Sequence, residues 1–273
     1  MMNITPTVKQ LLIINIIFFV GSALVPQANQ LLALHTLQSD DFGVWQLITH
    51  IFMHGNLMHI AFNMFALYSF GSALEHFWGP KKFIFFYISC GLGAAALQLG
   101  ITYMELQGIL KGLADAGLSN STLHQIYNID NVWNPVTGQL NAKAFTDGVR
   151  AILQDAGKLQ AFTNDNLQLF ASASANVNGI MVGASGAIYG LLIAFAFMFP
   201  NAELLLMFIP IPIKAKYFVP FLLAYDLIAG VYGSSLFGGG DGVAHFAHIG
   251  GAIIGYLMMW YWKRQQFNQN RWN

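Results

Sequence analysis

Long apolar stretches separated by polar intervals are the main pattern along this chain. Six of them stand out, at roughly 8–25, 57–77, 82–104, 180–200, 217–235 and 243–262. A helix that crosses the hydrocarbon core of a bilayer needs about 20 mostly apolar residues. The pattern therefore predicts an all-α membrane protein built as a bundle of six transmembrane helices.

The longest polar interval covers 105–178 and separates the third predicted span from the fourth. Within it, apolar residues recur at three- and four-residue intervals, as in an amphipathic helix; they are Ala144, Phe145, Val149, Ile152 and Leu153. We interpret 1–273 as a single membrane domain and 105–178 as an extracytoplasmic, mostly helical insertion. A mobile flap without a core is the alternative, and the sequence does not decide between the two.

The shorter connections differ in character. Residues 26–56 mix polar and half-apolar segments and include Trp45, which predicts a first outer loop lying in the membrane interface. The segment 210–214 predicts an extended apolar stretch along the inner surface. The glycines of 238–242 predict a flexible outer turn.

The composition is that of a membrane protein. The 273 residues are 56% hydrophobic and only 9% charged, whereas soluble domains contain about 25% charged residues. The formal net charge is zero, which argues against a nucleic-acid partner. Cys90 is the only cysteine, so no disulfide can form within the chain.

Lysine and arginine determine the predicted orientation. With a cytoplasmic N-terminus, the inner segments carry Lys9, Lys81, Lys82, Lys214, Lys216, Lys263, Arg264 and Arg271. The short outer segments, 26–56 and 236–242, contain none. Both termini are therefore expected in the cytoplasm. A cleaved signal peptide ending near Ser22 and Ala23 is the alternative, and it would misplace both short outer loops.

Polar side chains inside the predicted spans are the candidate functional residues, because such groups are costly in hydrocarbon. Five of them, from three distant parts of the chain, lie at similar depth beneath the outer face: His59, Asn63, Ser185, His245 and His248. Local periodicity does not explain this convergence, so we interpret it as a site.

The spacing within each span gives these residues a physical use. His59 and Asn63 are four apart and project from one helix face, and Ser185 and Tyr189 share a face for the same reason. Pairs of small residues predict close packing of the fourth and sixth helices; they are Gly186 with Gly190 and Gly251 with Gly255. This packing would bring His248 within hydrogen-bond distance of the serine.

The resulting hypothesis is a catalytic dyad. His248 takes the proton of Ser185 as general base, and the serine oxygen attacks a peptide carbonyl. The backbone N–H of Ser185, together with Asn63 and His59, would form the oxyanion hole. Ring contact from Tyr189 would orient His248. No carboxylate is evident at matching depth, so we predict that there is no third, acidic residue.

Simpler interpretations exist for several residues. Ser185 alone could be a small packing residue, and His50 is interpreted as an interfacial loop residue. Zinc binding by His54 and His59 is disfavoured, because their five-residue spacing does not place both on one helix face. Asp226, a charged group in the fifth span, is interpreted as a helix-packing or capping hydrogen-bond partner.

Three motifs on three spans resemble those of the rhomboid intramembrane serine proteases, of the bacterial type with six transmembrane helices. They are His59-x-x-x-Asn63, Gly183-Ala-Ser185-Gly186-x-x-Tyr189-Gly190 and Ala247-His248-Ile-Gly-Gly251. The resemblance covers all six predicted spans in their order and leaves 105–178 outside it.

The resemblance implies an endopeptidase of the plasma (bacterial inner) membrane that cleaves single-span membrane proteins near the outer membrane boundary. Ser185 and His248 would be catalytic, with His59 and Asn63 at the oxyanion hole. Supporting roles are implied for Gly183, Gly186, Tyr189, His245 and Gly251, and His54 and Glu75 match positions that support the site and the first outer loop. The partners would be transmembrane substrates and the lipid bilayer, and neither a metal nor an organic cofactor is implied.

Two features depart from the family pattern. Gln46 follows Trp45 where the family often has arginine, which puts the anchoring of the first outer loop in doubt. The connection between the third and fourth spans is roughly 70 residues long, where the family usually has a short one. If this insertion caps the cavity, its deletion should raise the cleavage rate.

Two other functions stay open. A catalytically silent relative that only binds membrane helices would usually lack the serine or the histidine, and both are present here. A small-solute transporter would carry several intramembrane charges and an inverted repeat, whereas we find only Asp226 and no repeat.

Overall fold

The structure of the protein, a computed structural model, describes residues 4–25, 27–134, 139–206, 209–232 and 244–269. Within these residues the chain forms the helices α1 (Pro6–Leu24), α2 (Gln27–Leu32), α3 (Gln46–Thr49), α4 (Leu57–Ala66), α5 (Ser72–Trp78), α6 (Pro80–Gly112), α7 (Asn120–Tyr127), α8 (Ala142–Asp155), α9 (Asn164–Asn178), α10 (Ser185–Met198), α11 (Ala215–Tyr232) and α12 (His245–Gln269). The short strands are β1 (Leu34–His35), β2 (Ile180–Met181), β3 (Glu203–Leu206) and β4 (Ile209–Lys214). A π-helical turn, Leu67–Gly71, joins α4 to α5.

The chain divides into two compact units. Unit one contains Met1–Leu34, Val44–Gln98 and Met181–Asn273, and unit two contains His35–Gly43 and Leu99–Ile180. Every residue that the sequence singles out for chemistry belongs to unit one.

Four helices of the described residues are long and apolar enough to cross a membrane: Pro6–Leu24, Leu57–Trp78, Pro80–Gly112 and Ala215–Tyr232. They correspond to four of the six predicted spans and indicate a multi-pass membrane protein. The sixth apolar stretch forms α12, which has 25 residues but contains two histidines and two basic residues and does not meet the same criterion. The count of six spans therefore stays a prediction.

The fourth predicted span is shorter than expected, because α10 begins only at Ser185. Gly183 has φ +127°, a backbone conformation outside the right-handed helix, and Ile180–Met181 is a strand. The helix has 14 residues, which is about 21 Å at ~1.5 Å per residue and too short for a hydrocarbon core of about 30 Å. Seven of those residues are buried, so this helix lies inside the protein rather than against lipid.

The core of unit one surrounds α10. Large side chains from α6 fill it together with residues of α10 and α1; its members include Phe83, Phe86, Tyr87, Cys90, Ala187, Leu191, Val8 and Leu11. The glycine pairs of α10 and α12 meet as the spacing predicts. A Cβ atom on Gly251 would overlap the carbonyl group of Gly186, and one on Gly255 would lie 2.8 Å from Cα of Gly190. The two backbones can approach this closely only because these positions lack side chains.

Glu75, in the middle of α5, caps the start of α1. Its carboxylate accepts from the backbone N–H of Thr7 at 3.0 Å and of Val8 at 2.9 Å. The end of the second apolar helix thus lies beside the beginning of the first, so the two run antiparallel. This contact differs from the loop-supporting role that the family resemblance implies for Glu75.

The connection after α10, which the sequence predicts on the inner side, is a hairpin. β3 pairs antiparallel with β4, with Leu204 opposite Ile213. The extended conformation predicted for 210–214 is confirmed, whereas its pairing was not foreseen. The glycine-rich turn predicted at 238–242 lies outside the described residues.

Unit two is helical and has an apolar core of its own. Several of its members come from α7, α8 and α9; they include Ile126, Phe145, Val149, Leu153 and Phe170. The helix predicted from the periodicity of 142–153 is confirmed as α8, which Asn141 caps by accepting from the N–H of Ala144. A packed core distinguishes this segment from the alternative of a flap without one.

Candidate functional site

Ser185 and His248 are in direct contact. Ser185 is the first residue of α10 and is half-buried, and its Oγ lies 2.9 Å from Nε2 of His248 on the first turn of α12. The glycine crossing of α10 and α12 brings the two together, since Gly186 follows the serine and Gly251 lies three residues after the histidine. A hydroxyl at this distance from an imidazole nitrogen is the arrangement that an activated nucleophile requires.

Tyr189 lies flat against His248, with 4.2 Å between the ring centroids and 10° between the planes. It follows Ser185 by one turn of α10, so both side chains face α12. The stacking restricts the rotation of the imidazole. The tyrosine hydroxyl makes a second contact that the sequence did not suggest, because it donates a hydrogen bond to Oδ2 of Asp226.

The prediction that no carboxylate lies at the depth of the dyad is wrong. Asp226 on α11 is 1% exposed, and its Oδ1 accepts from Nδ1 of His248 at 2.9 Å. Ser185, His248 and Asp226 therefore form a continuous chain of hydrogen bonds. The position of Asp226 in an apolar span predicts a hydrogen-bond partner but not which residues it binds, because the contact depends on how α11 packs against α12.

His245 is the second histidine bound to Asp226, with its Nδ1 2.6 Å from the same Oδ1. The ligand atoms of Asp226, His245 and His248 lie within 4.8 Å of one another, which makes them the one group in the described part of the chain with the proximity of a metal site. Both Nδ1 atoms already lie at hydrogen-bond distance from the carboxylate. The convergence of the three side chains is thus explained by hydrogen bonds.

His59, on α4, lies beside the glycine two residues before the serine. A Cβ atom placed on Gly183 would lie 2.7 Å from Nε2 of His59 and 3.6 Å from Oγ of Ser185, so both side chains border this glycine. Gly183 also has φ +127°. Glycine is therefore required here both by the backbone conformation and by the closeness of the His59 ring.

Asn63 follows His59 by one turn of α4, a helix that packs against α10, and it is buried. Its side-chain nitrogen has no hydrogen-bond partner among the described residues. Buried donors are nearly always paired in folded proteins, so an unpaired one requires an explanation. A donor to an oxyanion is expected to be free before the reaction, because its acceptor forms only in the transition state.

The N-terminus of α10 adds a third donor. The first N–H groups of a helix have no intrahelical acceptor, and Ser185 occupies the first position. The helix dipole places partial positive charge at the same end. An oxyanion that forms on a carbonyl group attacked by Ser185 Oγ would therefore be stabilised from the helix side.

The loop before α4 is tied to the site through His50, whose sequence context predicts only an interfacial residue. Its ring Nδ1 donates to the carbonyl of Gln46 at 2.7 Å, and its own carbonyl accepts from the N–H of Gly183 at 2.9 Å. Burial lowers the pKa of His50 to about 4, against a smaller opposing effect of the Gln46 hydrogen bond. The ring is therefore neutral at pH 7, and the loop is connected to the residue two positions before Ser185.

Gln46 helps to anchor this loop where the family pattern often has arginine. It is fully buried, and its side-chain nitrogen donates to the carbonyl of Leu31 at 3.3 Å. The indole N–H of Trp45 donates to the same carbonyl at 2.8 Å. A neutral amide can be buried here without a compensating charge. These bonds supply the anchoring that the absence of arginine had put in doubt.

His54 supports His59 from the loop side. The two rings meet edge to face with 5.0 Å between centroids. Burial, with a smaller effect of the neighbouring His59, lowers the pKa of His54 to about 4. A neutral His54 places no positive charge against His59.

The chain matches the model of one protein family over most of its length. The family is described as Rhomboid domain, and the matched residues are 41–122 and 159–265. The interruption at 123–158 lies within the polar interval 105–178.

Curated relatives carry the same family name. The chain is 25% identical over 231 residues to an uncharacterized mitochondrial rhomboid protein of Schizosaccharomyces pombe, which covers 81% of this chain and 52% of the relative. It is 25% identical over 256 residues to the mitochondrial rhomboid protein 1 of Saccharomyces cerevisiae, covering 93% and 52%. It is 40% identical over 48 residues to the rhomboid protease GluP of Bacillus subtilis, covering 18% and 10%. The chain thus spans about half the length of the first two relatives.

Proposed function

The chain belongs to the rhomboid family, and from this premise we propose that it is an intramembrane serine endopeptidase. Its substrates are single-span membrane proteins, cleaved near the outer boundary of the membrane. The observation that supports this most directly is the 2.9 Å contact between Ser185 Oγ and His248 Nε2. A relative that had lost catalysis would have no need to keep a hydroxyl and an imidazole in this geometry.

The reaction follows from the two side chains. His248 accepts the Ser185 proton at Nε2 while Oγ bonds to the carbonyl carbon of the scissile peptide. The imidazolium then gives this proton to the leaving amine, the C–N bond breaks, and an ester with Ser185 is left. Water loses a proton to the same nitrogen, hydrolyses the ester, and restores the serine hydroxyl.

The negative charge on the tetrahedral intermediate is stabilised by Asn63, His59 and the backbone N–H of Ser185. The unpaired amide nitrogen of Asn63 supports this assignment, as does the position of the His59 ring beside Gly183 and the serine. Hydrogen-bond donors that are fixed in place before the reaction stabilise the oxyanion more than water does, because they need no reorganisation when the charge forms.

The partners of this function are the transmembrane substrate and the lipid bilayer. We propose a bacterial inner membrane as the location, which rests on the resemblance of the three motifs alone. We also propose that both termini lie in the cytoplasm, because lysine and arginine are concentrated in the segments assigned to that side. The names of three curated relatives include the word mitochondrial, which gives the location of those proteins and not of this chain.

An activity-based probe tests the proposed function. The purified protein, in detergent or liposomes, is incubated with a fluorophosphonate, which bonds to an activated serine oxygen as fluoride leaves. We expect labelling of the wild type and none of Ser185→Ala or His248→Ala. The control is Ser72→Ala, which changes another buried serine of unit one and should label as the wild type does.

Two results would contradict the proposal. Equal labelling of wild type and Ser185→Ala would show that the probe reacts elsewhere. A wild type that binds a transmembrane peptide but is never labelled would favour the catalytically silent membrane-helix-binding relative.

A further inference from the structure

We propose that Asp226 is the positioning residue of the catalytic site, which holds the single proton of neutral His248 on Nδ1 and stabilises the imidazolium that forms during the reaction. The inference rests on the proposed peptidase function and extends it from two residues to three. It assigns a role to a buried carboxylate that a Ser–His pair alone does not use.

The partners of the two ring nitrogens of His248 determine where its proton lies. A neutral imidazole has one N–H and one bare nitrogen, and the partner of each nitrogen decides where the proton lies. Nδ1 faces Oδ1 of Asp226 at 2.9 Å, and an ionised carboxylate can only accept. The proton therefore lies on Nδ1, and Nε2, 2.9 Å from Ser185 Oγ, is left as the acceptor that a general base needs.

The carboxylate is itself held in one orientation. Its Oδ1 accepts from His248 and from His245, and its Oδ2 accepts from the hydroxyl of Tyr189. A buried ionised group is stable only when it is well hydrogen-bonded, and Asp226 is 1% exposed. These donors come from α10 and α12, so the packing of both helices against α11 fixes Asp226 before any substrate binds.

The proton balance closes with Asp226 unchanged. When Ser185 gives its proton to Nε2, both nitrogens of His248 carry protons and the ring becomes positively charged. That charge lies against the negative Oδ1, which lowers the free energy of the state that precedes amine departure. The Nε2 proton then passes to the leaving amine, and Asp226 has neither gained nor lost a proton.

A purely structural role makes different predictions. On that view, Asp226 only joins α11 to α12 through hydrogen bonds, and its replacement would lower stability and activity in proportion to the unfolded fraction. The distinguishing quantities are therefore the turnover of the folded enzyme and the location of the proton on His248.

The kinetic test uses Asp226→Asn, which keeps the size of the side chain and removes its charge, and Asp226→Glu, which keeps the charge. We expect kcat on a transmembrane substrate to fall by ~10²–10⁴-fold in Asp226→Asn. KM should change little, because Asp226 does not touch the substrate, and Asp226→Glu should recover part of the loss. The matched variant His245→Asn removes another donor to the same carboxylate and should cost less than Asp226→Asn.

The second measurement is independent of activity. With ¹⁵N-labelled histidine, NMR distinguishes protonated from bare ring nitrogens, and His248→Gln identifies the resonances of this ring. We expect protonated Nδ1 and bare Nε2 in the wild type, and loss of this single tautomer in Asp226→Asn.

Three outcomes separate the inference from the function on which it rests. If Asp226→Asn keeps the wild-type kcat and tautomer while Ser185→Ala is inactive, the assignment of Asp226 is wrong and the peptidase stands. If kcat falls only with the folded fraction and the tautomer is unchanged, Asp226 is structural. If the wild type is inactive, the peptidase proposal fails, and the NMR measurement still decides whether Asp226 positions the proton.

Discussion

The polar side chains of the site fall into two groups that differ in their pairing. His248, Asp226 and Ser185 form a continuous chain of hydrogen bonds, as expected for groups that pass and stabilise a proton. The amide nitrogen of Asn63 is buried without a partner in the described part of the chain. An unpaired donor is costly in the resting protein and becomes useful only when an oxyanion forms.

The role of Asn63 is tested by Asn63→Ala. We expect labelling and turnover to fall by ~10²–10³-fold, because one oxyanion donor is lost. Stability should fall little, since no hydrogen bond of the nitrogen is broken. The measurements are the rate of probe labelling and the midpoint of thermal unfolding in detergent.

Asn15→Ala is the matched control for this variant. Asn15 is another fully buried asparagine of unit one, and its side-chain nitrogen donates to the carbonyl of Leu11 at 2.7 Å. Its loss should cost about 1 kcal/mol of stability and leave labelling near the wild-type rate. The opposite result, with Asn63→Ala unstable but fully active, would remove Asn63 from the oxyanion hole.

At the scale of helices, the site depends on the crossing of α10 and α12. Both helices place glycine at the contact, so the backbones approach closely enough for Ser185 to reach His248. The contact of Gly186 with Gly251 lies next to Ser185 in α10 and about one turn beyond His248 in α12. A small displacement of α12 would therefore lengthen the serine–histidine distance directly.

The crossing is tested by Gly251→Ala. A Cβ atom there would overlap the carbonyl of Gly186. We therefore expect the free energy of unfolding to fall by ~1–3 kcal/mol or more and probe labelling to become weaker. Gly100→Ala is the control, because this exposed position in α6 has no atom within 4 Å of an added Cβ. It should raise stability by ~0.5–1 kcal/mol, as alanine does in a helix interior. Unchanged stability and labelling in Gly251→Ala would contradict the close crossing.

At the scale of the whole molecule, the chain combines a membrane unit that contains the site with a second helical unit. The interruption of the family match at 123–158 falls in unit two. It begins within α7 and ends shortly after α8. The apolar core of unit two shows that this part of the chain is a folded element. The hypothesis that it caps the site stays a prediction.

The orientation is tested by single-cysteine labelling in cells with an intact plasma membrane. The native thiol of Cys90 is fully buried and should give little background. A membrane-impermeant maleimide should label Lys143→Cys in unit two, at a side chain that is 91% exposed. It should label Lys263→Cys, exposed on α12 near the C-terminus, only after permeabilisation. Labelling of both from the same side would overturn the proposed topology.

The chain sequence by itself indicated the class of protein and most of the candidate site. Apolar stretches of membrane-spanning length predict spanning helices wherever they occur, because the cost of exposing the backbone to lipid leaves few other structures. Helical spacing likewise placed His59 with Asn63 and Ser185 with Tyr189 on common faces. Both inferences depend only on residues close to one another in the sequence, so a single sequence is enough to make them.

The tertiary structure decided the rest. The start of α10 at Ser185 depends on the backbone of Gly183 and on its bond to His50, and the length of that helix could not be judged from hydropathy alone. The contact of Asp226 with His245, His248 and Tyr189 joins three helices that are separate in sequence. A charged residue in an apolar span predicts that hydrogen-bond partners exist, because an unpaired buried charge is very costly. Only the packing of the helices determines which side chains those partners are.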